Sequence, residues 1–237
     1  MMNLVKFIAA CGAASRRQAE TLIRNGRVAV NGVVTVNPAC RVTAEDVVVL
    51  EGKRLSMPEK RHYFLLNKPR GYVCSNADVH AEKLAVELFA MPEVHLVSAG
   101  RLDKESEGAI IFSDDGNFIN RLAHPRYGVL KRYIVETAEP LPPEALAQMA
   151  DGIRDDGEIL RVIAIKPLAS RRYEVTLNEG KKREIRRLTA FFGCMTTRLR
   201  RISIGRVLLG DLPEGAFREL TAAEIESLLT PTTHDGQ

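Results

Sequence analysis

The chain has no tryptophan, and aromatic residues make up only 5% of it. Sugar sites that stack rings on broad aromatic faces are poorly served by such a composition, which counts against a glycoside hydrolase using Asp103 with Glu105 or Glu107 as its carboxylate pair. Cysteine is scarce as well: Cys11, Cys40, Cys74 and Cys194 lie far apart, with no Cys-x-x-Cys pair. That spacing suits neither zinc nor a disulfide framework, and the four read as reduced thiols of a cytoplasmic protein. No apolar run approaches membrane length. The opening stretch, residues 1–14, holds only Phe7-Ile8-Ala9-Ala10-Cys11 before Arg16 and Arg17, so it reads as a helix of the mature protein. A phosphate-cradling glycine loop and clustered metal ligands are also missing, so neither a metal nor an organic cofactor is implied.

What is present is enough chain for a real core and a pattern of bunched positive charge. At 237 residues, two modest domains are the expectation. The formal net charge is only +4, but the basic residues cluster, and clustering is what a polyanionic partner responds to. Nucleic acid is therefore the leading partner class, with no membrane role.

Ser15-Arg16-Arg17-Gln18 has the spacing of a capping box, which predicts a helix from there to about Asn25. Ala19, Leu22 and Ile23 share its inner face, leaving Arg16, Arg17 and Arg24 outward, and Gly26 ends it. Val28-Ala29-Val30, the hairpin turn Asn31-Gly32, Val33 to Val36 and Val47 to Leu50 then read as short strands. Over roughly residues 3–54 this order resembles the S4-type RNA-binding module, which implies that Arg16, Arg17, Arg24 and Arg27 contact structured RNA. A merely solvated basic helix is the plainer alternative.

Residues 55–62, with Lys60 and Arg61 beside Pro58, are expected as a linker. From Tyr63 to about residue 230 the pattern mixes strands (63–67, 94–99, 109–113, 132–137, 160–165, 173–177, 196–203) with helices (84–90, 117–123, 143–150, 183–192, 222–229). That order predicts an α+β domain with a largely antiparallel mixed sheet flanked by helices. Residues 231–237 are expected as a flexible tail.

Three stretches could carry chemistry. Gly100-Arg101-Leu102-Asp103 places a carboxylate on a polar loop between two apolar runs, where Asp can be a nucleophile, a general base or a turn cap. Asp114-Asp115-Gly116 is the better turn, which leaves Asp103 with less of a structural role. Lys131-Arg132-Tyr133 opens a strand whose tyrosine is either sheet packing or a stacking ring. Asn178 to Arg187 runs from a strand end through Gly180 into a basic helix start, and nine Lys or Arg between Asn178 and Arg206 face only Glu179 and Glu184. Phosphate contacts would relieve that repulsion.

Taken in order, Gly-Arg-Leu-Asp followed by Ser106-Glu107-Gly108, then Lys131-x-Tyr133, then Glu179-Gly-x-x-Arg-Glu-Ile-Arg-Arg187, resemble the RsuA/RluB/RluE/RluF branch of RNA pseudouridine synthases. Tyr63 to Tyr72 is similar to its opening strand and turn, and Gly210 to Leu220 to its closing segment. The resemblance implies that Asp103 is the catalytic aspartate and that Arg101 fills the gap left by a flipped nucleotide. It further implies that Tyr133 lies against the target base, Arg186 pairs with Asp103, and Leu199 lines the pocket. Lys131, Lys181, Lys182, Arg183 and Arg187 would contact RNA. Glu184 stands where several relatives carry Gln, as in RluB-like members, which points to 23S rather than 16S ribosomal RNA. The implied partner is structured ribosomal RNA, free or in an assembling subunit, bound by a monomer. A non-catalytic RNA-binding or ribosome-assembly protein is the alternative.

Overall fold

The computed structural model describes residues 1–75 and 81–230, so the expected 231–237 tail lies outside the described residues. The chain forms two compact units: Met1–His62 with Met91–Leu96 and Ser113–Gly116, and Tyr63–Ala90 with Val97–Phe112 and Asn117–Gln237. Among the described residues, no helix is long and apolar enough to cross a membrane.

The first unit comprises β1 (Met2–Asn3), α1 (Leu4–Ala10), α2 (Arg16–Arg24), β2 (Val28–Val30), β3 (Val33–Thr35), β4 (Arg41–Val42), β5 (Val48–Leu50) and β6 (Lys53–Arg54). The capping box closes as its spacing dictates: the Gln18 N–H donates to Ser15 Oγ at 3.3 Å and the Ser15 N–H to Gln18 Oε1 at 3.0 Å. Leu4, Phe7 and Ile8 of α1 meet Ala19 and Ile23 of α2 over Val28, Val42 and Val48. Asn31 and Gly32, at φ of 51° and 82°, make the tight turn that pairs Val30 with Val33. The sheet order is β3-β2-β5-β6, and β1 pairs separately with β4. Residues 55–62, read above as a linker, fall inside this unit. Leu55 packs on the core, and the Arg61 guanidinium donates to the carbonyls of Ala10 and Asp114.

The second unit holds β7 (Tyr63–Lys68), β8 (Val97–Ser98), β9 (Glu107–Ser113), β10 (Lys131–Thr137), β11 (Ile153–Asp155), β12 (Glu158–Leu160), β13 (Ala164–Ala169), β14 (Arg172–Leu177), β15 (Thr196–Ile204), β16 (Val207–Leu208) and β17 (Phe217–Glu219). Its helices are α4 (Ala145–Asp151), α5 (Glu184–Phe191) and α6 (Ala222–Leu229), with α3 (Gly116–Ala123) entering it from Asn117. The main sheet runs β13-β14-β10-β15-β9-β7-β17, with β16 on β15 and β8 on β9. The β9–β15 pair is parallel and the β10 pairs antiparallel, so the sheet is mixed. Phe118, Leu122 and Leu228 cover one side over Leu65, Ala109 and Ile111. Phe64, Phe89, Phe112 and Phe217 form an aromatic cluster with ring centroids 4.7 to 5.4 Å apart.

Several expected elements shift, each for a local reason. The strand expected over 94–99 shrinks to Val97–Ser98 because the N–H groups of Val94 and Leu96 bond to Met91 and Val94 instead of to a neighbouring strand. The 160–165 strand divides: Leu160 closes the β11–β12 hairpin and Ala164 starts β13. Residues 84–90 form a short 3-10 helix, Ala85–Phe89, ended by Ala90 in the left-handed region at φ 51°. Gly108 is indispensable to the parallel pair: it sits at φ 101°, and a Cβ there would lie 2.2 Å from the Arg201 carbonyl oxygen.

Candidate active site

The loop from Gly100 to Ser106 joins β8 to β9 and is held along its length. Within it, the Ser106 N–H donates to the Asp103 carbonyl at 3.0 Å, closing a turn around Asp103. From outside, the Gly71 N–H donates to the Lys104 carbonyl at 2.8 Å, and the Leu102 N–H to Cys74 Sγ at 3.4 Å. Arg70 Nε meets Glu105 Oε2 at 2.8 Å. Leu102 is buried beneath the loop while Asp103 is half-buried and Arg101 exposed. Lys68 supports the clasp from below. Fully buried at the end of β7, it donates from Nζ to the carbonyls of Pro69 and Tyr72 at 2.8 Å, fixing the turn that carries Gly71. Burial pushes its ammonium below the usual lysine range, and burial likewise pushes the Cys74 thiol up.

Arg186, on α5, reaches this loop through its main chain. Nη2 donates to the Glu105 carbonyl at 2.9 Å and Nη1 to the Thr196 carbonyl at 3.2 Å, so one planar guanidinium ties the Asp103 loop to the start of β15. Beyond these two carbonyl bonds, Arg186 feels the Asp103 charge through space. Burial and the neighbouring Arg183 charge push the Arg186 guanidinium down, while the Asp103 charge pulls it back up.

Tyr133 and Leu199 lie on adjacent strands, β10 and β15, and are 6% exposed each. Arg201 joins them from β15, 2% exposed, donating from Nη1 to the Tyr133 hydroxyl at 3.4 Å, with its guanidinium carbon 5.9 Å from the ring centre. Among the described residues, the buried side-chain polar atoms without a partner are Ser106 Oγ, Glu184 Oε1, Arg186 Nε and Arg201 Nη2. All four belong to the Asp103 loop, to α5 or to the strand beneath Tyr133.

The basic residues divide sharply. Arg16, Arg17 and Arg27 in the first unit and Lys182 and Arg183 in the second are exposed, with no hydrogen bond or ion pair from their side chains among the described residues. Arg24 pairs with Glu20 on the open surface, at 2.9 Å. Lys181 pairs with Glu179 at 2.9 Å and donates to the Ile159 carbonyl. Two further cations are placed differently. Lys131 is 9% exposed because it alternates inward with Tyr133 and Val135, and burial pushes its ammonium down to about 8. Arg187 is consumed by Asp155 and Glu158, at 2.5 and 2.7 Å, and clamps the β11–β12 hairpin onto α5.

Sequence reasoning missed Lys68 and Arg201 as members of the site. For Lys68 the signal was there: a charge closing a largely apolar strand, followed by proline. Arg201 stood among too many arginines for spacing alone to single it out. No group of three or more His, Cys, Asp or Glu that could hold a metal occurs among the described residues.

A carboxylate on a clasped loop, a buried tyrosine and a basic helix start are the parts of an enzyme that handles a polyanion, and comparison with known proteins names the class. The family model described as RNA pseudouridylate synthase matches residues 62–191, and that of the S4 domain matches residues 2–48. The ribosomal small subunit pseudouridine synthase A of Haemophilus influenzae is 34% identical over 232 residues, covering 96% of this chain and all of that protein. The ribosomal large subunit pseudouridine synthase B of Bacillus subtilis is 32% identical over 240 residues, covering 99% and 98%. A crystal structure of a pseudouridylate synthase superposes with a TM-score of 0.71 at 33% identity, covering 96% of this chain and all of that one. The chain belongs to the RNA pseudouridine synthase family, with an S4 domain preceding the synthase fold.

Proposed function

We propose that this protein isomerises a specific uridine of ribosomal RNA to pseudouridine, with Asp103 as the reacting carboxylate. Tyr133 lies against the target base, Leu199 lines its pocket, and Arg101 fills the gap the flipped nucleotide leaves. The observation that carries this reading is the Asp103 loop, gripped through Gly71, Cys74 and Arg186 so that a half-buried carboxylate is presented from a fixed frame. Ribosomal RNA as the substrate follows from the named activities of the relatives, which include both subunits. The reading places the protein in the cytoplasm, acting as a monomer on free or assembling ribosomal RNA.

The chemistry is an internal rearrangement. The bond from uracil nitrogen N1 to ribose C1′ breaks, the base turns, and C5 bonds to C1′. The proton lost from C5 is balanced by one gained at N1. Asp103 serves either by attacking C1′ or by removing a ribose proton to give a glycal-like intermediate. Extruding the uridine costs roughly a few kcal/mol, offset by phosphate contacts and by stacking on Tyr133.

The test is to incubate the pure protein with unmodified 23S and 16S ribosomal RNA and map pseudouridine at single-nucleotide resolution. The 23S molecule comes first because Glu184 points there. Conversion of a defined uridine is expected. Asp103→Asn should abolish it while leaving RNA affinity within a few-fold, since shape is kept and the ionised oxygen is lost. Full turnover by this variant ends the assignment of Asp103, and binding without any conversion supports the non-catalytic alternative.

A further inference from the structure

Behind Arg186 the second unit holds a separate cleft of about 280 Å³, bounded by Arg183, Arg186, Ala190 and the Gly193–Thr196 turn. Its composition is one-sided: two guanidiniums and no acidic side chain line it. Arg183 is exposed and unpaired among the described residues, and it holds a left-handed backbone at φ 54°, a conformation a non-glycine residue adopts only where its surroundings impose it. Arg186 brings a buried Nε without a hydrogen-bond partner. Its other lining residues are mostly small or apolar, and Met195 among them is 66% exposed, an unusual position for a long thioether.

Charge of one sign and a soft apolar side chain in one cleft are what a nucleotide needs, the first for its phosphate and the second for its base. Arg186 also fixes the cleft relative to the reacting carboxylate, since its Nη2 holds the Asp103 loop and its Nη1 holds Thr196 in the cleft wall. A chain of RNA whose uridine is inserted beside Asp103 would therefore carry its next nucleotide along α5.

We propose that this cleft receives one of the two nucleotides flanking the target uridine, its phosphate between Arg183 and Arg186 and its base against Met195. The proposal rests on the pseudouridine-synthase reading above and deepens it, making the cleft a determinant of which uridine is chosen. It differs from general phosphate binding, because the base of a particular neighbour is engaged.

The experiment uses the full chain and a ribosomal RNA fragment containing the converted uridine, in three forms: intact, abasic on the 5′ side of that uridine, and abasic on the 3′ side. Dissociation constants are measured for wild type, Met195→Ala and Arg183→Ala; both side chains are exposed, so the variants fold. With intact RNA, Met195→Ala should weaken binding about 2- to 10-fold. With one of the abasic RNAs that loss should vanish, since the base it served is gone. Arg183→Ala should lower the slope of log affinity against log salt by about 0.7 to 0.9, the value of one phosphate contact. A Met195 effect that persists with both abasic RNAs overturns the proposal, as does an unchanged salt slope for Arg183→Ala. These failures leave conversion by the wild type intact, whereas absence of any converted uridine removes the parent reading and this one together.

Discussion

Arg186 does its work at the scale of one residue through geometry more than through charge. Its fork spans the carbonyls of Glu105 and Thr196, two residues beyond Asp103 and at the first position of β15. A lysine would keep the positive charge but offers a single compact ammonium on a flexible stem, which cannot hold both carbonyls in one plane. Arg186→Lys should therefore leave RNA affinity within about threefold and lower kcat about 10- to 100-fold, the cost of a reacting group displaced by a fraction of an ångström to an ångström. Single-turnover rates at saturating protein, beside direct binding, make the separation. Weakened affinity with an unchanged rate would show that Arg186 serves binding rather than the placement of the Asp103 loop. Asp103 and Arg186 are already paired in the sequence reading, but the main-chain route between them is not legible there. A main-chain carbonyl carries no residue identity, so a guanidinium that grips Glu105 through its backbone leaves no mark in the sequence.

Elements were legible where the signal is local and lost where it is not. The Ser15 and Gln18 capping box and the Asn31-Gly32 turn each lie within four residues, and both form as their spacing requires. β17 is three residues long, with no alternation to betray it, and exists only because Phe217 to Glu219 pair with β7 far back in the chain. Its attachment to α6 is nevertheless strong: Arg218 forks onto both oxygens of Glu224, at 2.8 and 2.6 Å, and Glu224 closes a second capping box with Thr221. The Arg218 hydrogen bonds hold the Glu224 carboxyl down at about 2, against 4.5 for an unperturbed glutamate. The folded state thus binds this proton less readily than the unfolded chain. The stabilisation is complete above about pH 4.5 and is lost as pH falls toward 2. Because the pair is partly open to solvent, its contribution is about 1 kcal/mol rather than the full value of the shift. Glu224→Gln should lower stability by about that amount at pH 6 and by progressively less below 4.5. Denaturant melts across this range decide it, and a deficit that stayed constant to pH 2 would refute the pairing.

Across the whole molecule the net charge of +4 says little, and what matters is which cations are already committed. Sequence alone treats Arg16, Arg17, Arg27 and Arg187 as equivalent members of a basic surface. The structure separates them, because acids distant in sequence find some and not others: Asp155 and Glu158 lie about 30 positions before Arg187 and hold it, while the other three are exposed and unpaired among the described residues. An arginine already holding two carboxylates gains little from a phosphate, since it must first give up its partners, whereas an open one releases counterions at no such cost. Replacing Arg16, Arg17 and Arg27 together with alanine should reduce the salt slope of RNA binding by about 2 to 3, at roughly 0.7 to 0.9 per lost contact, with little change in melting temperature. Arg187→Ala should do the reverse, lowering the melting temperature by about 2 °C through the loss of two solvent-facing ion pairs while moving the salt slope by less than about 0.5. Binding isotherms at three or four salt concentrations and a thermal melt for each variant discriminate the cases. A triple variant with an unaltered slope would remove the first unit from the RNA-binding surface, and an Arg187 variant with a full unit of lost slope would return that residue to it.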